Sequence, residues 1–241
     1  MISFIIPTLQ EEKVIEKLLK NLKTITAFDY EIIVSDGGSK DRTREIVKQY
    51  TSNITIHSGE KKQTIGQARN AGAALALGEY LVFLDADVYI FNPNDFLRRA
   101  LAHFEKNPNL SGLGGWLRVF PEMETIGDRI GYGILTNWSL VLYNNILHLG
   151  AGCGEFGMVK ASVFKSVGGY REDLAVDEDQ DLFRRLAKVG RTKTDPKLLL
   201  YHTGRRPHAI GWPKLLWQWS TNWASLVLFN RSADEEWKVI R

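Results

Sequence analysis

The sequence predicts an α/β fold with a mostly parallel central sheet flanked by helices. Short apolar runs alternate with helix-periodic segments through the first half of the chain. The runs end in Pro7-Thr8, Asp36-Gly37-Gly38-Ser39 and Asp85-Ala86-Asp87, so turn formers and carboxylates collect at strand ends. In a parallel sheet those ends share one edge, where ligands bind. At 241 residues, 44% hydrophobic and 24% charged, the chain suits one large domain over residues 1–241 with ample core.

Taken in order, Ile2 to Ile6 reads as a buried strand stopped by Pro7, and Val14, Ile15, Leu18, Leu19 and Leu22 recur with helical spacing. Glu31 to Ser35 is a second strand, and Asp41 to Tyr50 a helix capped by Ser39 or Asp41. Asn53 to His57 is a third strand and Thr64 to Leu77 an Ala-rich helix. The run Tyr80-Leu81-Val82-Phe83-Leu84 then delivers Asp85 and Asp87. Pro93 to Lys106 is a helix capped by Asn92 or Asn94, followed by a Gly-rich strand around Leu113 to Phe120. The second half is less regular. It holds a helix within Thr125 to Leu147, a loop-rich stretch over Gly150 to Arg171, a helix from Glu178 to Val189, a strand from Lys197 to Tyr201 and a terminal helix from Trp212 to Phe229.

A net charge of +3, from 31 Lys and Arg against 28 Asp and Glu, is too balanced for general nucleic-acid binding. The single cysteine, Cys153, excludes an intrachain disulfide and a thiolate zinc cluster, which fits a reducing cytoplasmic setting. The chain enters a strand directly after Met1, so no signal peptide is expected. Ile130 to Gly154 lacks Asp, Glu, Lys and Arg, and Pro207 to Ala233 has only Lys214 and Arg231. Asn137, Asn144, Asn145 and His148 interrupt the first stretch, and Gln218 and Asn222 the second. Neither reads as a membrane span, though both suit a peripheral position on the cytoplasmic face of a membrane.

Period-2 geometry sends Asp85 and Asp87 to the same side of the chain, where both can reach one hard divalent cation and its phosphates. A plain acidic turn is the alternative. Further along stand Pro7-Thr8-Leu9-Gln10-Glu11-Glu12, Asp36-Gly37-Gly38-Ser39, Gln67-Ala68-Arg69-Asn70-Ala71-Gly72, Gly78-Glu79-Tyr80, Gly168-Gly169-Tyr170 and Glu178-Asp179-Gln180-Asp181-Leu182. In this order and spacing the chain resembles family 2 glycosyltransferases, which have the GT-A fold. Leu9-Gln10 departs from the Tyr-Asn often found in the family. The resemblance implies a nucleotide-sugar-binding half over 1–120 and an acceptor-binding half with a Trp-rich helix over 121–241.

Asp36 can accept hydrogen bonds from the ring N–H groups of a base, with its glycines allowing close approach; a turn or helix-cap role is its alternative. Glu11 and the Pro7-Thr8 backbone would line the other side. Arg69 offers a planar fork for phosphate or base, or is a solvated helix charge. The resemblance makes Asp87 the direct metal ligand, with Asp85 touching the ribose and supporting the metal beside Ala86. Mg²⁺ and Mn²⁺ both suit oxygen ligands. It also points to Asp179 as the general base of an inverting transfer, with Glu178 supporting it and Asp177 as a substitute. His202 is either a third metal ligand or a structural histidine. Arg205 and Arg206 either bind diphosphate or an anionic acceptor or form a plain basic pair.

Trp212, Trp217, Trp219 and Trp223 crowd the last helix, which packs on the domain by default and also suits a membrane interface. The expected activity is transfer of a sugar from a nucleoside-diphosphate-sugar to a sugar, lipid-linked, or other hydroxyl or phosphate acceptor. The alternatives are a polyprenyl-phosphate glycosyltransferase at the membrane surface, a noncatalytic sugar-nucleotide or lipid-binding module, and a haloacid-dehalogenase-like hydrolase. The last places its Asp-x-Asp near the first strand, which here ends in Pro7-Thr8. No Gly-rich turn follows the first strand and no Gly-x-x-x-x-Gly-Lys-Ser/Thr is present, against dinucleotide oxidoreduction and a P-loop.

Overall fold

The computed structural model describes residues 1–236 and 238–240. Its strands are β1 (Ile2–Thr8), β2 (Tyr30–Asp36), β3 (Ile54–Ile56), β4 (Tyr80–Leu84), β5 (Leu110–Val119), β6 (Phe156–Lys160) and β7 (Arg191–His202). They form one seven-stranded sheet in the order β3-β2-β1-β4-β6-β5-β7. β1 runs parallel to β2 and β4, and β5 parallel to β7; β6 is antiparallel to both its neighbours. The register Thr8↔Asp36 sets the ends of β1 and β2 side by side.

Alternation along the strands divides the core. Phe4, Ile6, Val34, Val82 and Leu84 pack with α1 (Ile15–Leu22) and α4 (Pro93–Lys106) on one face. Ile5, Leu81, Phe83 and Val159 meet Phe164 of α7 (Ala161–Ser166) and Leu182, Phe183 and Leu186 of α8 (Glu178–Val189) on the other. Both faces are covered, as a mostly parallel sheet requires.

Several expected boundaries shift. β1 continues through Pro7 to Thr8, because the pairing with β4 has already ended at Ile5 and only β2 remains alongside. α2 (Thr43–Val47) is shorter than the expected helix. Ser39 does not cap it, since its Oγ accepts from the Gln10 N–H, while Asp41 Oδ1 accepts from the Thr43 N–H. α3 (Ile65–Ala74) begins in a capping box between Thr64 and Gln67. Asn92 caps α4, and Asn94 instead accepts from the N–H groups of Thr26 and Ala27. The stretch read as loop, 150–171, contains β6 and α7. Phe156-Gly157-Met158-Val159 is too short to declare a period, and pairing on both sides fixes it as strand. β7 starts at Arg191, and its Pro196 lies in an irregularity facing Gly114 and Trp116 on an edge strand, where its missing N–H is tolerated.

The segment between β5 and β6 winds more widely than an α-helix. α5 (Ile126–Asp128) and α6 (Asn137–Val141) alternate with π-wound stretches at Arg129–Thr136 and Leu142–Ile146. Leu147 N–H accordingly donates to the Leu142 carbonyl at 2.9 Å, five residues back. In an α-helix every fourth residue drifts about 40° around the axis. Wider winding removes that drift and lines the segment with straight rows. Asp128, Tyr132, Leu140 and Asn144 are buried, whereas Ile126, Ile130, Ile134, Trp138, Leu142 and Ile146 are 42–76% exposed. Asn137 pins the segment to β5, with its Oδ1 accepting from Leu117 N–H at 2.9 Å and its Nδ2 donating to Leu117 O at 2.8 Å. α9 (Arg205–Ile210) was not anticipated; it leads into α10 (Trp212–Phe229), whose Trp212 and Trp219 rings pack edge-on to Tyr132.

Candidate active site

A cavity of about 1250 Å³ opens at the carboxyl ends of β1, β4 and β7, bounded by the start of α8 and by α10. Pro7, Thr8, Glu11, Arg69, Asp85, Ala86, Asp87, Glu178, Asp179, His202, Arg205 and Arg206 all line it. Asp36 does not. Its Oδ1 accepts from the N–H groups of Gly38 (3.1 Å) and Ser39 (2.8 Å) and its Oδ2 from the Thr8 hydroxyl (3.1 Å), within a buried turn. Three of about four acceptor positions on the carboxylate are thus committed to the turn. The wall beside it is Gly37 and Gln63.

Arg69 is not a solvated helix charge, being 1% exposed. Its Nη1 donates to Glu178 Oε1 at 2.7 Å, and its Nη2 to Asp85 Oδ1 at 3.0 Å and Gly154 O at 2.7 Å. One guanidinium therefore ties α3 to the end of β4, the loop before β6 and the start of α8. Burial raises the Glu178 carboxyl, and the Arg69 charge opposes that rise. Next to it, Asp179 Oδ1 accepts from the Gln180 N–H at 2.8 Å. The Asp179 carboxyl is likewise raised by burial, against Arg69 and these backbone N–H groups. Asp177 stands in the left-handed region (φ 63°), with Oδ2 buried and unpaired among the described residues. Burial, then Asp179 and Glu178, push its carboxyl up to about 8.

Asp87 faces a different partner. Arg205 donates from Nη1 and Nη2 to Glu11 at 2.6 and 3.0 Å and holds its Nε 3.5 Å from Asp87 Oδ2. The Thr203 hydroxyl also donates to Asp87 Oδ2. Burial favours the neutral acid at Asp87, but Arg205 and Thr203 bring the carboxyl below its ordinary value. His202 is buried, its ring pushed down to about 4 mainly by that burial, so it is neutral at pH 7. Its Nδ1 accepts from the Gly204 N–H at 3.3 Å, and its Nε2 is buried without a partner among the described residues. The Tyr132 ring stands edge-on to it at 4.5 Å. Arg206 Nη2 donates to Lys238 O at 2.6 Å.

Glu155, Gly154 and Thr203 were missed by the sequence reading. Glu155 lies opposite Asp85, whose N–H reaches the Glu155 carbonyl at 3.4 Å, and burial raises its carboxyl to about 8. A Cβ on Gly154 would stand 3.3 Å from Arg69 Nη2, 3.5 Å from Asp85 Oδ2 and 3.9 Å from Asp179 Oδ2. The missing side chain leaves a gap bordered by one carboxylate from β4 and one from α8.

A family model described as glycosyl transferase family 2 matches residues 3–168. The chain belongs to that family. A glycosyltransferase of Haemophilus influenzae is 33% identical over 189 residues, covering 77% of this chain and 62% of the relative. A Methanococcus voltae relative is 29% identical over 195 residues, 76% of this chain and 56% of its own length. It is named dolichyl N-acetyl-alpha-D-glucosaminyl phosphate 3-beta-D-2,3-diacetamido-2,3-dideoxy-beta-D-glucuronosyltransferase. This chain spans 56–65% of the length of the first curated relatives it matches. Among solved structures, the Pyrobaculum calidifontis mannosyltransferase in complex with GDP-Man and Mn²⁺ superposes with a TM-score of 0.67 at 20% identity, covering 85% of this chain and 57% of that one. TarS of S. aureus gives 0.66 at 22%, covering 97% and 67%. The family 2 chain thus has the GT-A fold.

Among the described residues no three His, Cys, Asp or Glu side chains converge as a ready-made metal site. The donor set nevertheless fits a divalent cation carried in with phosphates: Asp85 and Asp87 supply oxygens, and the orphaned His202 Nε2 supplies a lone pair in the tautomer that carries its proton on Nδ1, which gives up the Gly204 hydrogen bond. Solved structures of a Mycobacterium tuberculosis glucosyl-3-phosphoglycerate synthase contain UDP with Mn²⁺ or Mg²⁺.

Proposed function

We propose that this chain transfers a sugar from a nucleoside-diphosphate-sugar to an acceptor hydroxyl with inversion, using a divalent cation at Asp87 and Asp179 as general base. The observation that carries this reading is the convergence at Gly154, where Asp85 and Asp179 carboxylate oxygens lie 3.5 and 3.9 Å from one point on the cavity lining. A donor sugar in the cavity beside that point would present its phosphate side to Asp85 and its free face to Asp179. The Pro7-Thr8 backbone and Gly37 would flank the base, with the remaining acceptor position of Asp36 behind them.

Asp179 would take the proton of the acceptor hydroxyl as that oxygen bonds to the anomeric carbon, while the bond from that carbon to the phosphate oxygen breaks. Burial, which raises the Asp179 carboxyl, makes it a readier proton acceptor. Glu178, locked by Arg69, would position it. Held by Asp87, with Asp85 and His202 beside it, the cation would neutralise charge on the departing diphosphate as a Lewis acid. Arg205 would exchange Glu11 and Asp87 for the diphosphate oxygens, since it and both its present partners line the cavity.

Asp87→Ala tests the donor half directly. Calorimetry of UDP and GDP with and without Mn²⁺ should show cation-dependent binding to the parent chain. The variant should lose about tenfold or more of that affinity, together with its cation dependence. Unchanged affinity with unchanged metal dependence would remove Asp87 as a ligand.

A further inference from the structure

The π-wound segment has a row that the reaction does not use. Ile126, Ile130, Ile134, Trp138, Leu142 and Ile146 are all exposed and follow one another at every fourth position along one side. The adjoining row, Leu135, Ser139 and Tyr143, lines the cavity. α10, packed on this segment through Tyr132, repeats the arrangement: Leu216, Trp219 and Trp223 line the cavity, while Trp217, Leu228 and Phe229 are 67–72% exposed. Apolar surface therefore continues from the outside of two helices into the acceptor side of the cavity.

We propose that the outer row of this segment, with the exposed apolar residues of α10, docks the protein on an anionic lipid bilayer, so that the cavity mouth lies at headgroup depth. A protein partner would meet a surface with almost nothing to pair. Protein interfaces carry about one hydrogen bond per 100–200 Å², and in the outer row only Trp138 has a side-chain donor, its indole N–H. A bilayer asks for no such partners, and it favours indoles at its interface. The charge pattern agrees. No Asp, Glu, Lys or Arg occurs from Ile130 to Gly154, and α10 carries only Lys214, with Arg231 just past its end, both exposed cations. No helix among the described residues is long and apolar enough to cross a membrane, so the contact is peripheral.

An acceptor entering from that side would be an amphiphile, with its tail along Leu135, Tyr143, Leu149 and Trp223 and its hydroxyl-bearing head toward Asp179. This extension rests on the transfer reading above, whereas the docking does not.

The test is co-sedimentation of the full chain with vesicles of phosphatidylcholine, alone or mixed two to one with phosphatidylglycerol. The paired substitution Ile134→Glu with Trp138→Glu is compared with the conservative Ile134→Leu; neither position lines the cavity. The parent chain and Ile134→Leu should bind the phosphatidylglycerol vesicles. The paired variant should lose about tenfold or more of that partitioning. UDP or GDP titration with Mn²⁺ on the same samples should be unchanged within about threefold, showing that the site is intact. Failure of the parent chain to bind either vesicle would overturn the docking proposal. So would self-association of the parent chain that the paired variant abolishes, which would make the row a contact between copies. Vesicle binding with no nucleotide binding would leave the docking standing and sink the transfer reading alone.

Discussion

Arg69 shows how a single buried charge organises this site. Its three hydrogen bonds join Asp85, Glu178 and the Gly154 carbonyl, residues up to 109 positions away in sequence. The carboxylates around it are close enough to repel, and at Asp177 no cation offsets that repulsion among the described residues. Its raised value of about 8 means that the folded state keeps a proton which the unfolded chain releases near 3.8. Stability therefore falls as pH rises from about 4 to about 8. Asp177→Asn retains a side chain that tolerates the left-handed backbone and removes the titration. Thermal melts should show the variant gaining on the parent progressively across that window; parallel pH curves would contradict the assignment. Gly154 makes a second residue-scale prediction. A methyl group there would sit in the gap between Asp85 and Asp179, so Gly154→Ala should lower transfer by about tenfold or more through misplacement of the sugar. Nucleotide affinity, titrated in parallel, should change by less than about threefold, since the base lies elsewhere.

Among the elements, the segment 126–146 depends on side-chain anchors because its wide winding gives poorer backbone economy than an α-helix. Asn137 is fully buried and satisfies both backbone groups of Leu117. Asn137→Ala would leave that N–H and C=O unpaired in the interior, at about 2–4 kcal/mol. Urea unfolding at constant slope should report the loss, and a change below about 0.5 kcal/mol would show that the pairing is dispensable. The same segment marks a limit of sequence reading. Its outer residues recur every four positions, but the 3.6-residue template spreads such a row around a helix, so the straight stripe emerges only once the winding is known. β1, β2 and β4 were legible because each is a continuous apolar run ending in a turn. β6 was not, since pairing with β4 and β5 defines it more than its own residues do.

In the whole molecule, the sheet edge predicted from Pro7-Thr8 and Asp85-Ala86-Asp87 does form one wall of a cavity, and α8 brings Asp179 to the other. What the sequence could not express is commitment. Glu11 and Arg205 were separate candidates, 194 positions apart, and the fold spends each on the other. Asp36 was legible as a strand-end carboxylate, yet its oxygens hold a turn and the residue does not line the cavity. The two walls make separable claims, donor binding at β4 and proton removal at α8. Asp179→Asn addresses both at once, because it preserves shape and most hydrogen bonding but cannot accept a proton at neutral pH. Sugar transfer to a hydroxyl acceptor, measured beside titration of the nucleoside diphosphate with Mn²⁺ on the same folded variant, should fall by about 10²-fold or more while nucleotide affinity holds. Near-normal transfer by that variant would contradict the account.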